Sequence, residues 1–324
     1  MSWRDAVGSV LHRTTGYTLT RETPEQRSEA LARAARRAAA EARRAVSDGQ
    51  RRELRQREQQ RQAERAERAR ERAVREAAAE EARRQREAHL HARRVARFDE
   101  ELWATVERVQ PQTMTGPAKL AALVEATRYV ARHRVPGDVV ECGVWRGGSM
   151  QAIALTLLSR GDVDRELHLF DTFEGMPPPT AEDARTTEVG AVPADQMLAE
   201  SDRESALWAI AGLDVVKQAM ADTGYPADKV HFHPGLVEDT TPGQAPDTIA
   251  LLRLDTDWYA STKHELEHLY DRLSPGGVLI LDDYGDWDGA RKATDEWLAE
   301  TGEQIFLAPM GSGVIGIKPM VGRA

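Results

Sequence analysis

Cysteine is almost absent from this chain of 324 residues, in which Cys142 is the only one. A single cysteine excludes an intramolecular disulfide and a cysteine-rich zinc site, and such scarcity is typical of proteins kept in a reducing cytoplasm. The chain also lacks any apolar run near the ~20 residues that a membrane span requires. Its amino terminus has no apolar core like that of a secretory signal. We therefore expect a soluble, cytoplasmic protein without a membrane partner.

Lysine is missing from the first hundred residues, which contain 25 arginines and 17 acidic residues and so carry a net charge of +8. The other 224 residues carry 19 basic and 36 acidic side chains, a net charge of −17. This asymmetry predicts two physically different units. We expect an extension rich in Arg, Glu and Ala over residues 1–100 and a globular domain over residues 101–324.

Glycine and large apolar residues are scarce in the extension, where Gly49 is the only glycine between residues 24 and 98. Ala, Arg, Glu and Gln favour helix, so we expect a long charged α-helical extension, with helices at about 25–46 and 50–98 and a break at Ser47, Asp48 and Gly49. Because no apolar heptad is present, three roles stay open: a solvated spacer, a weak coiled coil that forms a homo-oligomer, and a nucleic-acid arm. Interleaved glutamates weaken the field that phosphate binding needs, so nucleic acid is the least favoured partner.

The second unit alternates apolar runs with amphipathic stretches, a pattern that predicts a largely parallel sheet with helices on both faces. Strands are expected at 138–142, 167–170, 230–233, 249–254 and 278–281, and a closing antiparallel hairpin at 304–308 and 313–317. Helices are expected at about 117–134, 148–160, 202–223, 259–273 and 287–301. The stretch at about 176–201 has three consecutive prolines and little periodicity, which favours a lid or binding loop.

Acidic residues follow most of the predicted strands at the end where open α/β sheets bind their ligands. They are Glu141 within the first strand, Asp171 after the second, Asp255 and Asp257 after the fourth, and Asp282 and Asp283 after the fifth. Carboxylates at one edge of a sheet repel each other unless a cation or hydrogen-bond donors are present. We therefore expect a ligand site at this edge.

A glycine-rich turn follows the first strand, between Glu141 and Ser149. Its spacing is not Gly-x-Gly-x-x-Gly, so a dinucleotide pyrophosphate is less natural there than a nucleoside with a small tail. Asp171, about 24 residues beyond Gly147, is placed to accept hydrogen bonds from both ribose hydroxyls. The turn and Asp171 together favour S-adenosylmethionine over NAD, although a glycine turn after a strand is often only a feature of the fold.

Asp255, Asp282 and Asp283 offer the oxygen ligands that Mg²⁺ prefers. Strand-end aspartates also cap the helices that follow them, but three on neighbouring strand ends are better explained by a metal. Asp257 projects from the same strand end as Asp255, in a position to accept a proton.

A zinc-protease pattern, His-Glu-x-x-His, occurs at His264 and His268. Neighbouring charged residues, the absence of a third ligand at a convincing spacing, and the position on a crossover helix all argue against zinc hydrolysis. We expect these histidines on a solvated helix face.

Four motifs in order resemble the macrocin O-methyltransferase family. They are Gly-Asp-Val-Val-Glu-Cys-Gly-Val-Trp-Arg-Gly-Gly at 137–148, Phe-Asp-Thr-Phe-Glu-Gly-Met-Pro at 170–177, Arg-Leu-Asp-Thr-Asp-Trp-Tyr-Ala-Ser-Thr at 253–262, and Leu-Ser-Pro-Gly-Gly at 273–277 followed by Asp-Asp-Tyr at 282–284. The resemblance covers about residues 105–318 and implies the α/β class I methyltransferase fold, Rossmann-like, with a mainly parallel seven-stranded sheet and an antiparallel hairpin.

The resemblance also implies roles for individual residues. S-adenosylmethionine would be the methyl donor, lined by Glu141, Gly143, Ser149 and Asp171, with Thr113 and Met114 folding over it. Mg²⁺ would be held by Asp255, Asp282 and Asp283, and Asp257 would be the general base. The acceptor would be a small molecule, through one hydroxyl of a vicinal pair on a sugar or other natural product.

Two other functions remain open at this point. One is a non-catalytic scaffold that displays a degenerate methyltransferase domain, which the retention of all three metal carboxylates disfavours. The other is an NAD-dependent oxidoreductase, which the form of the glycine turn disfavours.

Overall fold

The computed structural model describes residues 24–95, 98–187 and 190–320. The chain divides into two compact units, Met1–His91 and Ala92–Ala324. None of the helices in these described ranges is both long enough and apolar enough to cross a membrane.

Helix α1 spans Pro24–Val95, a single helix of 72 residues. The predicted break at 47–49 is therefore wrong. A lone glycine costs only about 1 kcal/mol in a helix, and the strong helix formers on both sides outweigh that cost. Every side chain of α1 whose burial is described is exposed, and pairs one turn apart such as Arg33 with Glu29 bridge its surface.

The described residues of the second unit form nine strands. They are β1 (Asp138–Cys142), β2 (Leu167–Asp171), β3 (Ala184–Thr187), β4 (Gly190–Pro193), β5 (Val230–Pro234), β6 (Ile249–Leu254), β7 (Leu273–Leu281), β8 (Phe306–Met310) and β9 (Gly313–Ile317). Seven form one sheet in the order β5-β2-β1-β6-β7-β9-β8. The first five strands in this order are parallel to one another, and β9 is antiparallel to both β7 and β8. The predicted class I methyltransferase fold, with its closing hairpin, is confirmed.

The helices of this unit alternate with the strands. They are α2 (Glu100–Val109), α3 (Pro117–His133), α4 (Gly148–Arg160), α5 (Ala194–Ala199), α6 (Leu213–Ala221), α7 (Val237–Thr240), α8 (Tyr259–Leu269) and α9 (Asp288–Thr301). Alternate strand residues face two different hydrophobic clusters, because successive side chains of a strand point to opposite faces. In β7, Ile280 packs in the cluster that includes α2, α3, α4 and α6, whereas Leu279 packs in the cluster that includes α8 and α9.

The predicted helix at 202–223 is shorter than expected, since α6 begins only at Leu213. The preceding residues form a short 3-10 turn, Ala206–Trp208, followed by Ala209 in the left-handed region at φ 46°. The backbone carbonyl of Trp208 accepts a hydrogen bond from the amide of Met176, so this segment is held by the loop after β2 instead of by its own helix.

The stretch at about 176–201 is not an irregular loop. It contains the antiparallel pair β3 and β4, and then α5. The buried carboxylate of Asp183 anchors it by accepting hydrogen bonds from the amides of Thr180 and Tyr259. Its function as a lid stays a prediction.

Candidate active site

A cavity lies at the carboxyl ends of β1, β2, β6 and β7, and it brings together nine of the ten predicted site residues. These are Thr113, Met114, Gly143, Ser149, Asp171, Asp255, Asp257, Asp282 and Asp283. Parallel strands end at one edge of a sheet, which is why motifs more than a hundred residues apart in sequence meet there. The tenth residue, Glu141, does not line the cavity but is fully buried beneath it.

The turn after β1 passes very close to the end of β6. Gly143 has φ 83°, and a Cβ added to it would collide with the backbone carbonyl of Asp255. Trp145 in the same turn has φ 47°, a conformation uncommon for a bulky residue. Helix α4 then begins at Gly148, so its free backbone amides lie at the cavity edge.

Asp171 joins the ends of β1 and β2. One carboxylate oxygen, Oδ2, accepts hydrogen bonds from the amides of Val144 at 2.7 Å and Trp145 at 3.0 Å, and Oδ1 accepts from the amide of Phe173 at 2.7 Å. A carboxylate has about four lone-pair positions, so these bonds leave capacity for a ligand hydroxyl. Asp171 therefore shapes the turn, and its contact with ribose stays a prediction.

The segment that contains Thr113 and Met114 covers the glycine turn. A Cβ on Gly148 would meet the backbone oxygen of Gln112 at 2.6 Å, which shows how closely the segment approaches α4. The hydroxyl of Thr113 accepts a hydrogen bond from the amide of Thr115 at 3.0 Å, while Met114 is left exposed at the cavity mouth.

Arg253 is a buried cation that sequence reasoning missed. Its guanidinium lies 2.6 Å from Glu141 Oε1, 2.7 Å from Asp255 Oδ2 and 2.8 Å from Asp282 Oδ1. The signal was present in β6, where an arginine interrupts an otherwise apolar strand immediately before the acidic residues. A buried charge of this kind requires partners.

Lys119 is the second cation that sequence reasoning missed. It lies on α3, and its ammonium group donates to the backbone oxygen and to Oδ2 of Asp282, both at 2.8 Å. Two buried cations therefore meet the carboxylates at the strand ends, and Asp282 contacts both.

The carboxyl groups around the two cations differ in the direction in which their pKa is shifted. Burial would raise the pKa of Asp282, but the charges of Arg253 and Lys119 outweigh burial and lower that pKa. Burial raises the pKa of Asp255 and Asp283 well above the usual range.

Two further carboxyl groups have raised pKa values. Burial raises the pKa of Asp257 to about 7, and the neighbouring charge of Asp255 adds to this effect. Burial also raises the pKa of Glu141 to about 7, against the opposing charge of Arg253. The cluster holds more acid than its two cations neutralise.

Asp255, Asp282 and Asp283 each offer a carboxylate oxygen, and these oxygens lie within 4.8 Å of one another. This all-oxygen donor set, with excess negative charge around it, fits a hard divalent cation. Asp257 lies beside the set, with its amide 3.3 Å from Asp283 Oδ2. Its φ of 68° is rare outside glycine, and such strained conformations cluster at functional sites.

The lining of the cavity also carries an aromatic and a basic group. The Arg185 guanidinium lies 4.7 Å from the centre of the Trp287 ring, and both residues line the cavity. Trp258 packs edge-on against Trp287 at 4.9 Å. An aromatic wall of this kind suits the apolar face of an organic acceptor.

The rejected zinc pattern lies on α8, away from the cavity lining. His264 and His268 are half-buried and stacked at 4.1 Å, so the expectation of a solvated face was wrong. Within the described ranges, neither histidine belongs to a group that could hold a metal. Glu265, between them, is fully buried and accepts a hydrogen bond from Thr256 at 3.2 Å.

A family model described as macrocin-O-methyltransferase matches residues 40–309. The chain belongs to the macrocin O-methyltransferase family. It is therefore an S-adenosylmethionine-dependent O-methyltransferase, which decides against the oxidoreductase and the non-catalytic scaffold.

Two curated relatives and one solved structure illustrate the similarity. The chain is 38% identical over 207 residues to the 8-demethyl-8-(2,3-dimethoxy-alpha-L-rhamnosyl)-tetracenomycin-C 4'-O-methyltransferase of Streptomyces olivaceus, which covers 62% of this chain and 74% of the relative. It is 37% identical over 173 residues to the mycinamicin III 3''-O-methyltransferase of Micromonospora griseorubida, a match that covers 53% of this chain and 65% of the relative. The structure of the O-methyltransferase NovP superposes with a TM-score of 0.55 at 31% identity, covering 64% of this chain and 82% of NovP.

Proposed function

We propose that this enzyme methylates a sugar hydroxyl of a natural product, at one of two vicinal oxygens, in a reaction that depends on Mg²⁺. The observation that carries the proposal is the single cavity in which Asp255, Asp282 and Asp283 lie beside the glycine turn of β1. The names of the two relatives support a sugar, since they specify a rhamnosyl 4'-oxygen in one case and a 3''-oxygen in the other.

The donor half of the cavity is assigned to the turn and the segment above it. S-adenosylmethionine, when bound, supplies a methyl group on a positively charged sulfur. Gly143 and Ser149 lie at the turn against which its amino-acid tail would rest, and Asp171 offers its remaining lone pair, on Oδ1, to a ribose hydroxyl. Thr113 and Met114 line the mouth of this half.

The acceptor half is assigned to the carboxylates and the aromatic wall. Mg²⁺, when bound by Asp255, Asp282 and Asp283, would favour the deprotonated form of the acceptor hydroxyl. Asp257 lines the same cavity and takes the proton as general base. Arg253 and Lys119 each contact one oxygen of the Asp282 carboxylate and hold it in place, so this metal ligand is oriented before the ion binds. Trp287 supports the apolar face of the sugar or its aglycone.

The extension over residues 1–100 is proposed to act outside the chemistry, because all candidate site residues lie beyond residue 110. A self-association arm that makes a homo-oligomer and a solvated spacer are the two roles that the exposed helix α1 supports. A cytoplasmic location and the absence of a nucleic-acid partner stay predictions.

The direct test is methyl transfer with isotope-labelled S-adenosylmethionine to glycosides that carry a vicinal diol. Matched deoxy glycosides that lack one of the two hydroxyls serve as controls. We expect a product heavier by one methyl group only with the diol. EDTA should abolish turnover and Mg²⁺ should restore it. Unchanged turnover after complete EDTA treatment would show that the three aspartates do not hold an essential metal.

Variants separate the metal site from the donor site. Asp283→Asn should abolish turnover yet leave the affinity for S-adenosylhomocysteine nearly unchanged, and Asp257→Asn should lower turnover by ~10²–10⁴, the usual contribution of a positioned base. Asp295→Asn, on the exposed surface of α9, removes the same charge as a control and should do neither. Asp171→Ala should weaken donor binding by about 1.5–3 kcal/mol, measured by calorimetry.

A further inference from the structure

A second cluster of metal-ligating side chains lies at the opposite end of the strands from the active site. Glu166 precedes β2, His168 is the second residue of β2, and His231 is the second residue of β5. The parallel register pairs His168 directly with His231, so both imidazoles project from the same face of the sheet. One ligand atom from each of the three residues lies within 4.8 Å of the other two.

The hydrogen bonds behind His168 determine which of its nitrogens carries the proton. His233 Nδ1 lies 3.1 Å from Oε1 of Gln244, which can only accept, so His233 carries its hydrogen on Nδ1. His233 Nε2 is then an acceptor, and it lies 3.1 Å from His168 Nδ1. His168 must therefore donate from Nδ1, which leaves a lone pair on its Nε2.

The lone pair on His168 Nε2 has no partner. His168 is 8% exposed, and its Nε2 is a buried atom without a hydrogen bond. The nearest carboxylate oxygen, Asp138 Oδ2, is 3.9 Å away, beyond hydrogen-bonding distance. His231 Nε2 is also buried and makes no hydrogen bond, although it lies 3.0 Å from Glu166 Oε2. Two imidazole nitrogens and a carboxylate oxygen thus converge with their bonding capacity unused.

We propose that Glu166, His168 and His231 form a second metal site, for Zn²⁺ or a similar divalent transition ion. Two imidazoles and one carboxylate are ligands typical of Zn²⁺, whereas Mg²⁺ prefers oxygen alone. The chain from His168 through His233 to Gln244 resembles the hydrogen bonds that orient metal-binding histidines from behind. Asp138 or water would complete a fourth position.

The charge states of Glu166 and His168 suit a cation. The hydrogen bond from Lys229 lowers the pKa of Glu166, so this carboxylate stays ionised. Burial, together with the charges of His231 and His233, lowers the pKa of His168 to about 4, so the imidazole is neutral at physiological pH. Lys229 lies 3.2 Å from Oε1 of Glu166, and Oε2 remains available on the side of the histidines. A bound ion would fasten the edge strand β5 to β2.

The test is retention of Zn²⁺ by the full chain in equilibrium dialysis against 100 μM Zn²⁺, after EDTA has stripped the chain of metal and has itself been removed, with Mg²⁺ in excess to occupy the active-site carboxylates. We expect about one equivalent of Zn²⁺ by elemental analysis above the level of the dialysis buffer and, with micromolar affinity, a rise in Tm of about 5 °C. His231→Ala should lose both effects. Gln244→Ala should weaken Zn²⁺ binding by about 10-fold, since it removes the acceptor that fixes the tautomer.

His268→Asn is the matched control, because it disrupts the stacked pair of His264 and His268 outside the proposed site and should leave Zn²⁺ retention unchanged. Retained affinity for S-adenosylhomocysteine shows that each variant is folded. Equal Zn²⁺ retention by the wild type and folded His231→Ala would overturn the proposal, as would loss of retention in folded His268→Asn.

Discussion

Replacing Arg253 with methionine tests the buried charge cluster on which the floor of the active site rests. Methionine matches the length of the arginine stem and removes only the guanidinium. The change leaves Glu141, Asp255 and Asp282 without a contact that each now makes within 2.8 Å. The hydroxyl of Thr115 also loses its donor, at 2.8 Å.

The expected loss is about 3–5 kcal/mol of unfolding free energy, the range measured when one partner of a buried ion pair is removed. Two features favour the lower half of this range. Glu141 has a pKa of about 7, so it takes up a proton at little cost once the cation is gone. Asp282 keeps its second cation, Lys119. Asp255 has no second cation, but burial raises its pKa well above the usual range, so it should also take up a proton once the guanidinium is gone.

Urea unfolding followed by tryptophan fluorescence measures this loss, because six of the seven tryptophans lie beyond residue 100 and report on the second unit. Arg132→Met, on the exposed surface of α3, is the control and should change stability by less than about 0.5 kcal/mol. In the double variant Glu141→Gln with Arg253→Met, part of the loss should be recovered, with a coupling energy of about 1–3 kcal/mol.

Two results would refute this reasoning. A loss below about 1 kcal/mol in Arg253→Met would mean that the guanidinium balances no buried charge. Additive effects of the two substitutions would mean that Glu141 and Arg253 do not interact, despite the 2.6 Å between them.

Three further predictions concern the backbone, a helix cap and the extension. Gly143→Ala should destabilise the fold by several kcal/mol and abolish donor binding, whereas Gly161→Ala should cost only about 1 kcal/mol. Both glycines have positive φ, but only at Gly143 would an added Cβ meet a backbone carbonyl. Equal losses of stability in thermal unfolding would show that this close contact is not the cause. Asp99 caps α2, and its hydrogen bond with Arg128 lowers the pKa of Asp99 to about 2, below the unfolded value near 3.8. The stabilisation from this contact is therefore complete above pH 4 and is lost as the pH falls towards 2. Because Asp99 is largely exposed, wild type and Asp99→Ala should differ in unfolding free energy by about 1 kcal/mol at pH 7, and this difference should narrow between pH 4 and pH 2. A difference that stays constant with pH in urea titrations would contradict the ionised contact. A chain starting at Phe98 should keep turnover within a few-fold in the labelled-methyl assay, and loss of activity in a folded truncation would show that the extension contributes to the site.

The sequence alone was sufficient for the seven strands of the main sheet and for the location of the candidate site, but not for the pair β3 and β4. Runs such as 249–254, in which every residue except Arg253 is apolar, have no amphipathic alternative, so they are expected to be strands covered on both faces. The acidic residues after β6 and β7 then have to meet, since parallel strands place their carboxyl ends at one edge. Nine of the ten predicted site residues line one cavity for this reason.

Local sequence patterns were not sufficient to place two helix ends, because neighbouring residues or tertiary contacts outweighed the local preference. Ser47-Asp48-Gly49 indicates a helix break, yet α1 continues through it because the flanking helix formers outweigh one glycine. The helix predicted from residue 202 begins only at Leu213, because Trp208 pairs with the loop after β2, more than thirty residues earlier in the chain.

Tertiary structure alone decided which charges are paired. Glu141 is paired with Arg253, its register partner on the adjacent strand β6, and Lys119 reaches Asp282 from a helix 163 residues away in sequence. The same holds for His168 and His231, which are neighbours only because β5 pairs with β2 in one register. Composition and periodicity determine which segments are buried, but the distance between two side chains depends on strand order and register, which arise only when the whole sheet assembles.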